Sequence, residues 1–283
     1  MPHPLPRFSY PVAPPNVGGR GYGLAMGDFS GTDLRGSRFD RADLSGARFW
    51  ASDLSGARFQ GVDLSRVVMR GVELVDVEIT GEIMNVTING VDVGPLVEAE
   101  LDRRDPERAK MRPEGPAGFR EAWQILERRW DQTVARARRL PPELLHESVD
   151  GEWSFIETLR HLVFATDSWV RRAIDGDPAP WHPLGLPWDE GADIPGIPCD
   201  RAARPSLDTV LALRRDRMAV VAATLDALTD ESLAARTTAV EGPGWPPPES
   251  FPVRECLLIV LNEEWHHRLY AERDLAALQD QTS

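Results

Sequence analysis

Two residues four apart near the end of the chain, Glu263 and His267, have the types and the spacing to hold a metal ion. On a helix, positions i and i+4 share one face, so this carboxylate and imidazole project together, in line with Val260 and Tyr270. Both groups are ligands of divalent ions. His161 lies on a separate predicted helix well upstream and is the third ligand brought to them. A buried carboxylate is costly unless something cationic meets it, and a divalent ion supplies that charge. Tyr270, one turn beyond His267, is the catalytic candidate, able to hydrogen-bond a group held at the ion. Its plain alternative is a core aromatic with a solvated hydroxyl.

The other histidines fit less well. His3 falls in a Pro- and Gly-rich lead-in and His146 in a surface loop. His266 is the rival to His267: with Asn262 it would form an adjacent face, turned about 100° away.

Four segments carry the helical period that must position these residues. The first runs from Ala117 to Leu140, with Phe119, Trp123, Leu126, Trp130 and Val134 on one stripe, and stops at Pro141-Pro142. The second opens at Ser154, where Ser154 and Glu157 predict a capping box, and continues to Gly176. The third spans Ser206 to Leu228, with Leu207, Val210, Leu213, Arg217, Val220, Val221 and Leu225 as its stripe. Pro252 opens the fourth at a favoured first-turn position; it runs from Val253 to about Leu278. Four such helices with no strand pattern between them predict an antiparallel four-helix bundle over 117–283. The long Trp- and Pro-rich stretch from Asp177 to Pro205 is expected to cover its pocket as a lid.

The N-terminal part follows a different rule. After an irregular lead-in over 1–26, large apolar residues recur at every fifth position: Phe29, Leu34, Phe39, Leu44, Phe49, Leu54, Phe59, Leu64, Met69, Leu74 and Ile79. The residue two before each is mostly small, as at Gly27, Thr32, Ser37, Ala42, Ala47, Ser52 and Ala57. A period of five fits neither a helix nor a strand, so the chain must turn one corner per repeat, with the large residue pointing inward. This pattern resembles the pentapeptide-repeat family. The resemblance implies a short right-handed quadrilateral β-helix over 27–93, making the fold class multidomain β plus α. Asn89-Gly90 between alternating apolar residues reads as a hairpin or terminal cap. Residues 94–116 read as a linker with a short helix, Pro95 to Asp102, followed by a charged, Pro-punctuated connector packed on the surface.

Composition narrows the function classes. The net charge of -13 argues against nucleic acid as a partner, because phosphate would be repelled. Some pentapeptide proteins mimic DNA as long acidic rods. Here the repeat carries ten Asp and Glu against seven Arg between Gly27 and Gly90, and a rigid stabilising or docking module is the better reading. No apolar run long enough to span a membrane and no signal-like N-terminal core are present, so a cytoplasmic protein with no membrane partner is expected. Lys110 is the only lysine, a bias suggesting a bacterial genome of high GC content. Cys199 and Cys256 make no disulfide framework, and Cys256 reads as a small buried apolar residue.

Residues 117–278 are similar to the DinB/YfiT-like superfamily. The stretches that carry the likeness are Gly151-Glu152-Trp153-Ser154, Leu159-Arg160-His161-Leu162 and Glu264-Trp265-His266-His267-Arg268. Members are four-helix bundles whose single metal is held by a His of the second helix and a His pair of the last. The resemblance places the metal on His161 and His267. The first member of the family's pair falls on Glu263, a departure that gives two His and one carboxylate, a set used by zinc hydrolases and non-haem iron sites. It implies a divalent metal, zinc ahead of nickel, iron or manganese. It also implies a small-molecule substrate, a low-molecular-weight thiol among the candidates, and a thiol S-transferase of the mycothiol type or a related enzyme. A metal-dependent hydrolase and a non-enzymatic scaffold with a structural metal are the alternatives. A homodimer stays open.

Overall fold

The computed structural model of the chain describes residues 28–40, 42–81, 83–188 and 194–282. The expected lead-in over 1–26, with His3 and the first repeat residue Gly27, lies outside them. The chain divides into two units, the repeat segment up to Ile83 and everything from Met84 onward.

In the repeat segment the five-residue period is written into the backbone. Turns close by local bonds such as Thr32 N to Phe29 O at 3.1 Å, Ala47 N to Leu44 O at 2.9 Å and Ala57 N to Leu54 O at 3.0 Å. One residue per turn takes positive φ: Gly31, Gly36, Gly46, Gly56, Gly61 and Gly71, and in other repeats Ala51, Arg66 and Asp76. That conformation favours glycine, and a glycine sets the corner two places after the large residue in six of these repeats. Asp side chains brace the turns, Asp43 Oδ1 accepting from Ser45 N and Asp53 Oδ1 from Ser55 N, both at 2.9 Å. The expected inward-facing interior is not formed among the described residues. The large residues from Phe29 to Ile79 are 39–67% exposed, and among the described residues the backbone bonds of the segment close within single repeats.

The second unit is mostly helical with one two-stranded sheet. Strands β1 (Thr87–Ile88) and β2 (Val91–Asp92) pair antiparallel around Asn89 and Gly90, both at positive φ, as the sequence predicted for a hairpin. The connector is more helical than expected, with α1 over Gly94–Arg104 and α2 over Pro106–Ala109. Arg108 ties it internally to Glu98 and Asp102, each at 2.7 Å. Met111 is buried beside Phe119 of the next helix.

Four long helices follow: α3 (Pro116–Ala137), α4 (Phe155–Thr166), α5 (Leu207–Asp226) and, after the short α6 (Asp230–Ala234), α7 (Val253–Thr282). α3 packs on α5 and α7, and α4 packs on the same two. The capping box at Ser154 forms as predicted, Ser154 N donating to Glu157 Oε2 at 3.0 Å and Glu157 N to Ser154 Oγ at 3.3 Å. Every residue of α4 except Glu157 is buried. The continuous helix expected to Gly176 instead widens into a π turn over Asp167–Arg172, where buried Asp167 pairs with Arg217 of α5 at 2.7 Å. The stripe expected on α5 is also displaced. Arg214 and Leu211 are buried where Leu213 was expected, because Arg214 meets Glu264 across the core.

Two buried arginines fix the long connections. Arg160 donates to the carbonyls of Leu184 at 2.8 Å, Ala203 at 3.1 Å and Asp200. Arg172 donates to those of Pro178, Val240, Gly242 and Pro246 at 2.9–3.2 Å. Each guanidinium satisfies backbone acceptors that would otherwise be buried alone. Beneath these loops Phe164, Trp181 and Ile197 form a small core with Trp188 and Trp245. Gly244, at φ +141°, lies against Trp181 so closely that a Cβ would fall 2.1 Å from the indole. Gly244→Ala should therefore cost about 1–3 kcal/mol as an overpacked contact, read as a lower midpoint in thermal melting. An unchanged midpoint would show that the loop packing is loose.

Candidate metal centre

The three side chains are brought together by local rules acting on two helices. The capped start of α4 sets the register that turns His161 inward, and the four-residue spacing on α7 turns Glu263 and His267 toward it. His161 Nε2 lies 3.2 Å from Glu263 Oε2, and His267 Nε2 lies 2.9 Å from the same oxygen. One ligand atom from each residue falls within 4.8 Å of the others. Among the described residues the group comprises these three side chains, with no fourth His, Cys, Asp or Glu joining them.

The surroundings orient the rings. His161 Nδ1 donates to the carbonyl of Leu186 at 2.9 Å, which leaves Nε2 to face the carboxylate. This outer bond to a carbonyl is the usual support of a metal-ligating imidazole. It comes from the loop expected to cover the site, which packs by a backbone oxygen and by buried Leu186. Trp153, to which the sequence reading gave no role, lies over both imidazoles, its ring 4.4 Å from His161 and 5.6 Å from His267. Tyr270 meets His267 edge-on at 5.9 Å, under the guanidinium of Arg273. Arg273 is held in turn by Glu152 at 2.6 Å.

Two imidazole nitrogens converging on one carboxylate oxygen fit a cation at their centre. If both nitrogens offered lone pairs to the oxygen, three acceptors would face each other; protons or a metal ion must lie between them. The donor set of two nitrogens and one oxygen, on side chains 7–13% exposed, suits a divalent ion. Burial opposes ionisation of Glu263, yet hydrogen bonds from His161 and His267 and their charge outweigh it and hold the carboxyl well below the usual range.

The sign of that shift makes a prediction. A carboxyl depressed in the folded state stabilises the fold above its unfolded value, near 4.3, and the contribution is lost as pH falls from there toward the folded value. Urea unfolding of chelator-treated protein at a series of acid pH values should show Glu263→Gln losing stability less steeply than wild type below about pH 4. Parallel curves would contradict it.

The remaining candidates stand apart from the group. His266, the rival paired with Asn262 in the sequence, does not join it, and burial lowers the His266 pKa, helped by Arg108 and His267. His182 is used structurally, its Nδ1 accepting from Leu184 N at 3.1 Å. Cys256 is fully buried, as expected, and burial pushes its thiol up to about 12, which removes it as a nucleophile. Among the described residues no helix is long and apolar enough to cross a membrane.

Comparison with models of protein families matches residues 125–271, a little over half of the chain, to the DinB superfamily. Residues 28–61 and 51–81 match pentapeptide repeats, in eight copies. No curated protein and no solved structure matches the chain.

Proposed function

Because this chain belongs to the DinB superfamily, we propose that His161, Glu263 and His267 hold one divalent metal ion, zinc first, and that the protein is a metal-dependent thiol S-transferase of the mycothiol type or a related enzyme. The observation that carries the reading is the convergence of His161 Nε2 and His267 Nε2 on Glu263 Oε2. When bound, the ion supplies acidity, lowering the pKa of a thiol so that the thiolate is available at neutral pH. In the transfer the sulfur bonds to an electrophilic carbon, the leaving group departs with its electron pair, and the thiol proton passes to solvent.

The chain's own residues have separate tasks. Leu186 O and Trp153 fix the imidazoles, and Trp153 keeps bulk water from their faces. Tyr270 is assigned the catalytic hydrogen bond to the substrate. Three protein ligands support an enzyme over a scaffold, since closed structural sites take four. The four long helices are read as an antiparallel four-helix bundle. The repeat segment is read as a right-handed quadrilateral β-helix, supported by the eight matched copies and by one positive-φ residue at each corner.

The test is loss of free thiol groups when zinc-loaded protein meets a low-molecular-weight thiol and an alkylating electrophile. Tyr270→Phe should slow turnover at least about 100-fold while keeping its metal. Metal retention with no thiol consumption would favour the scaffold reading. Substrate cleavage by water without thiol would favour a hydrolase.

A further inference from the structure

A cleft of about 490 Å³ lies between α3, the start of α2 and the outer side of α7. Arg268, Glu272 and Gln279 of α7 line it on a stripe about 150° away from Glu263, His267 and Tyr270, on the far side of the helix. In a chain of net charge -13, the lining carries four guanidiniums, Arg129, Arg136, Arg139 and Arg268, against the two carboxylates of Asp105 and Glu272.

The pairing of these groups is uneven. Arg129 is held by Asp105 at 2.9 Å and by Glu107 at 2.7 Å, and Arg136 by Glu272 at 2.6 Å and Gln279 at 2.7 Å. Arg268 is 5% exposed, yet its Nε and Nη2 have no hydrogen-bond partner. Those two atoms form one edge of the guanidinium, the fork that meets two oxygens of a carboxylate or phosphate side by side. The carboxylates of Glu272, Asp105 and Glu107 act on its charge from nearby without bonding to its Nε or Nη2. Arg268 and Arg129 both stack on Trp265, at 5.2 and 5.5 Å, and only Arg129 has carboxylates against it. The indole Nε1 of Trp265 is a further buried donor with no acceptor. The two Arg268 donors, with nothing to receive them, call for a group that only accepts.

We propose that this cleft binds an oxyanion, the carboxylate or phosphate of a small molecule, on the Nε and Nη2 edge of Arg268, with Arg139 at the exposed rim. The site is separate from the metal centre.

Calorimetric titration of the full chain with sodium phosphate and, separately, with sodium succinate, at fixed chloride concentration, tests it. One saturable site is expected in at least one arm, and the arm that binds identifies the source of the oxyanion. Arg268→Gln and Arg139→Glu should each weaken binding at least about tenfold, as expected for a lost charge-assisted contact. Arg215→Ala, an exposed arginine on α5, should leave binding unchanged. His161→Ala should also bind as wild type; loss of binding there would move the anion to the metal centre and overturn the proposal. No saturable binding in either arm would overturn it as well. Should Arg268→Gln fail to fold, Arg139→Glu decides alone, and wild-type affinity in that variant refutes the site.

Discussion

Glu263→Ala is expected to lose the metal and keep the fold. Its Oε2 is the atom on which both imidazoles converge, at 3.2 and 2.9 Å. Loss of an outer-shell partner typically costs 10- to 100-fold in metal affinity, and loss of a direct ligand should cost more than about 100-fold. Metal analysis after dialysis should therefore fall from about one ion per chain to a trace. The fold should survive, because the carboxylate is removed together with the need to satisfy it in a core built elsewhere from Phe119, Leu126, Leu257 and Leu261. Stoichiometric metal in the dialysed variant would remove Glu263 from the site.

Glu264→Ala, one residue along, should do the reverse. Glu264 and Arg214 are 1% and 3% exposed and joined by two bonds, at 2.6 and 2.8 Å. Removing the acid leaves a guanidinium in the core beside the face of Trp130, 5.5 Å away, without its carboxylate. Breaking a buried pair from one side costs about 3–5 kcal/mol, a large share of the 5–15 kcal/mol that holds a typical domain together. Urea unfolding measures this directly, and a loss below about 1 kcal/mol would show that Arg214 finds water or another acceptor. The metal content of whatever folds should match wild type. Two adjacent glutamates thus face different ways, one toward the two imidazoles and the other toward Arg214 in the core.

What could be read from the sequence follows the range of each signal. The capping box at Ser154, the stop before Pro141 and the opening at Pro252 are local, and the helices begin and end close to where those residues put them. The facing of Glu263 and His267 is equally local, a matter of four residues on one helix. That His161 meets them depended on resemblance, because no period within α4 states which helix its inner face will meet. Signals across long separations were not legible. The carbonyl of Leu186 leaves no mark in residue type. Nothing in the period of α5 shows that Arg214 rather than Leu213 turns inward, since the reason is Glu264 fifty residues away. The same holds for the buried pairing of Asp167, in the π turn, with Arg217 fifty residues away. In the repeat segment the apolar period pointed to an interior, while the glycines that fix the corners, such as Gly36 and Gly46, went unread although their positive φ is the most regular feature there.

X-ray absorption at the zinc edge of the metal-loaded protein tests the central claim most directly. Two imidazole nitrogens and one carboxylate oxygen at about 2.0–2.2 Å, with a lighter, exchangeable fourth neighbour, are predicted, and His161→Ala should remove one nitrogen. A spectrum with sulfur in the first shell, four protein ligands, or two imidazoles still present in His161→Ala would contradict the assignment.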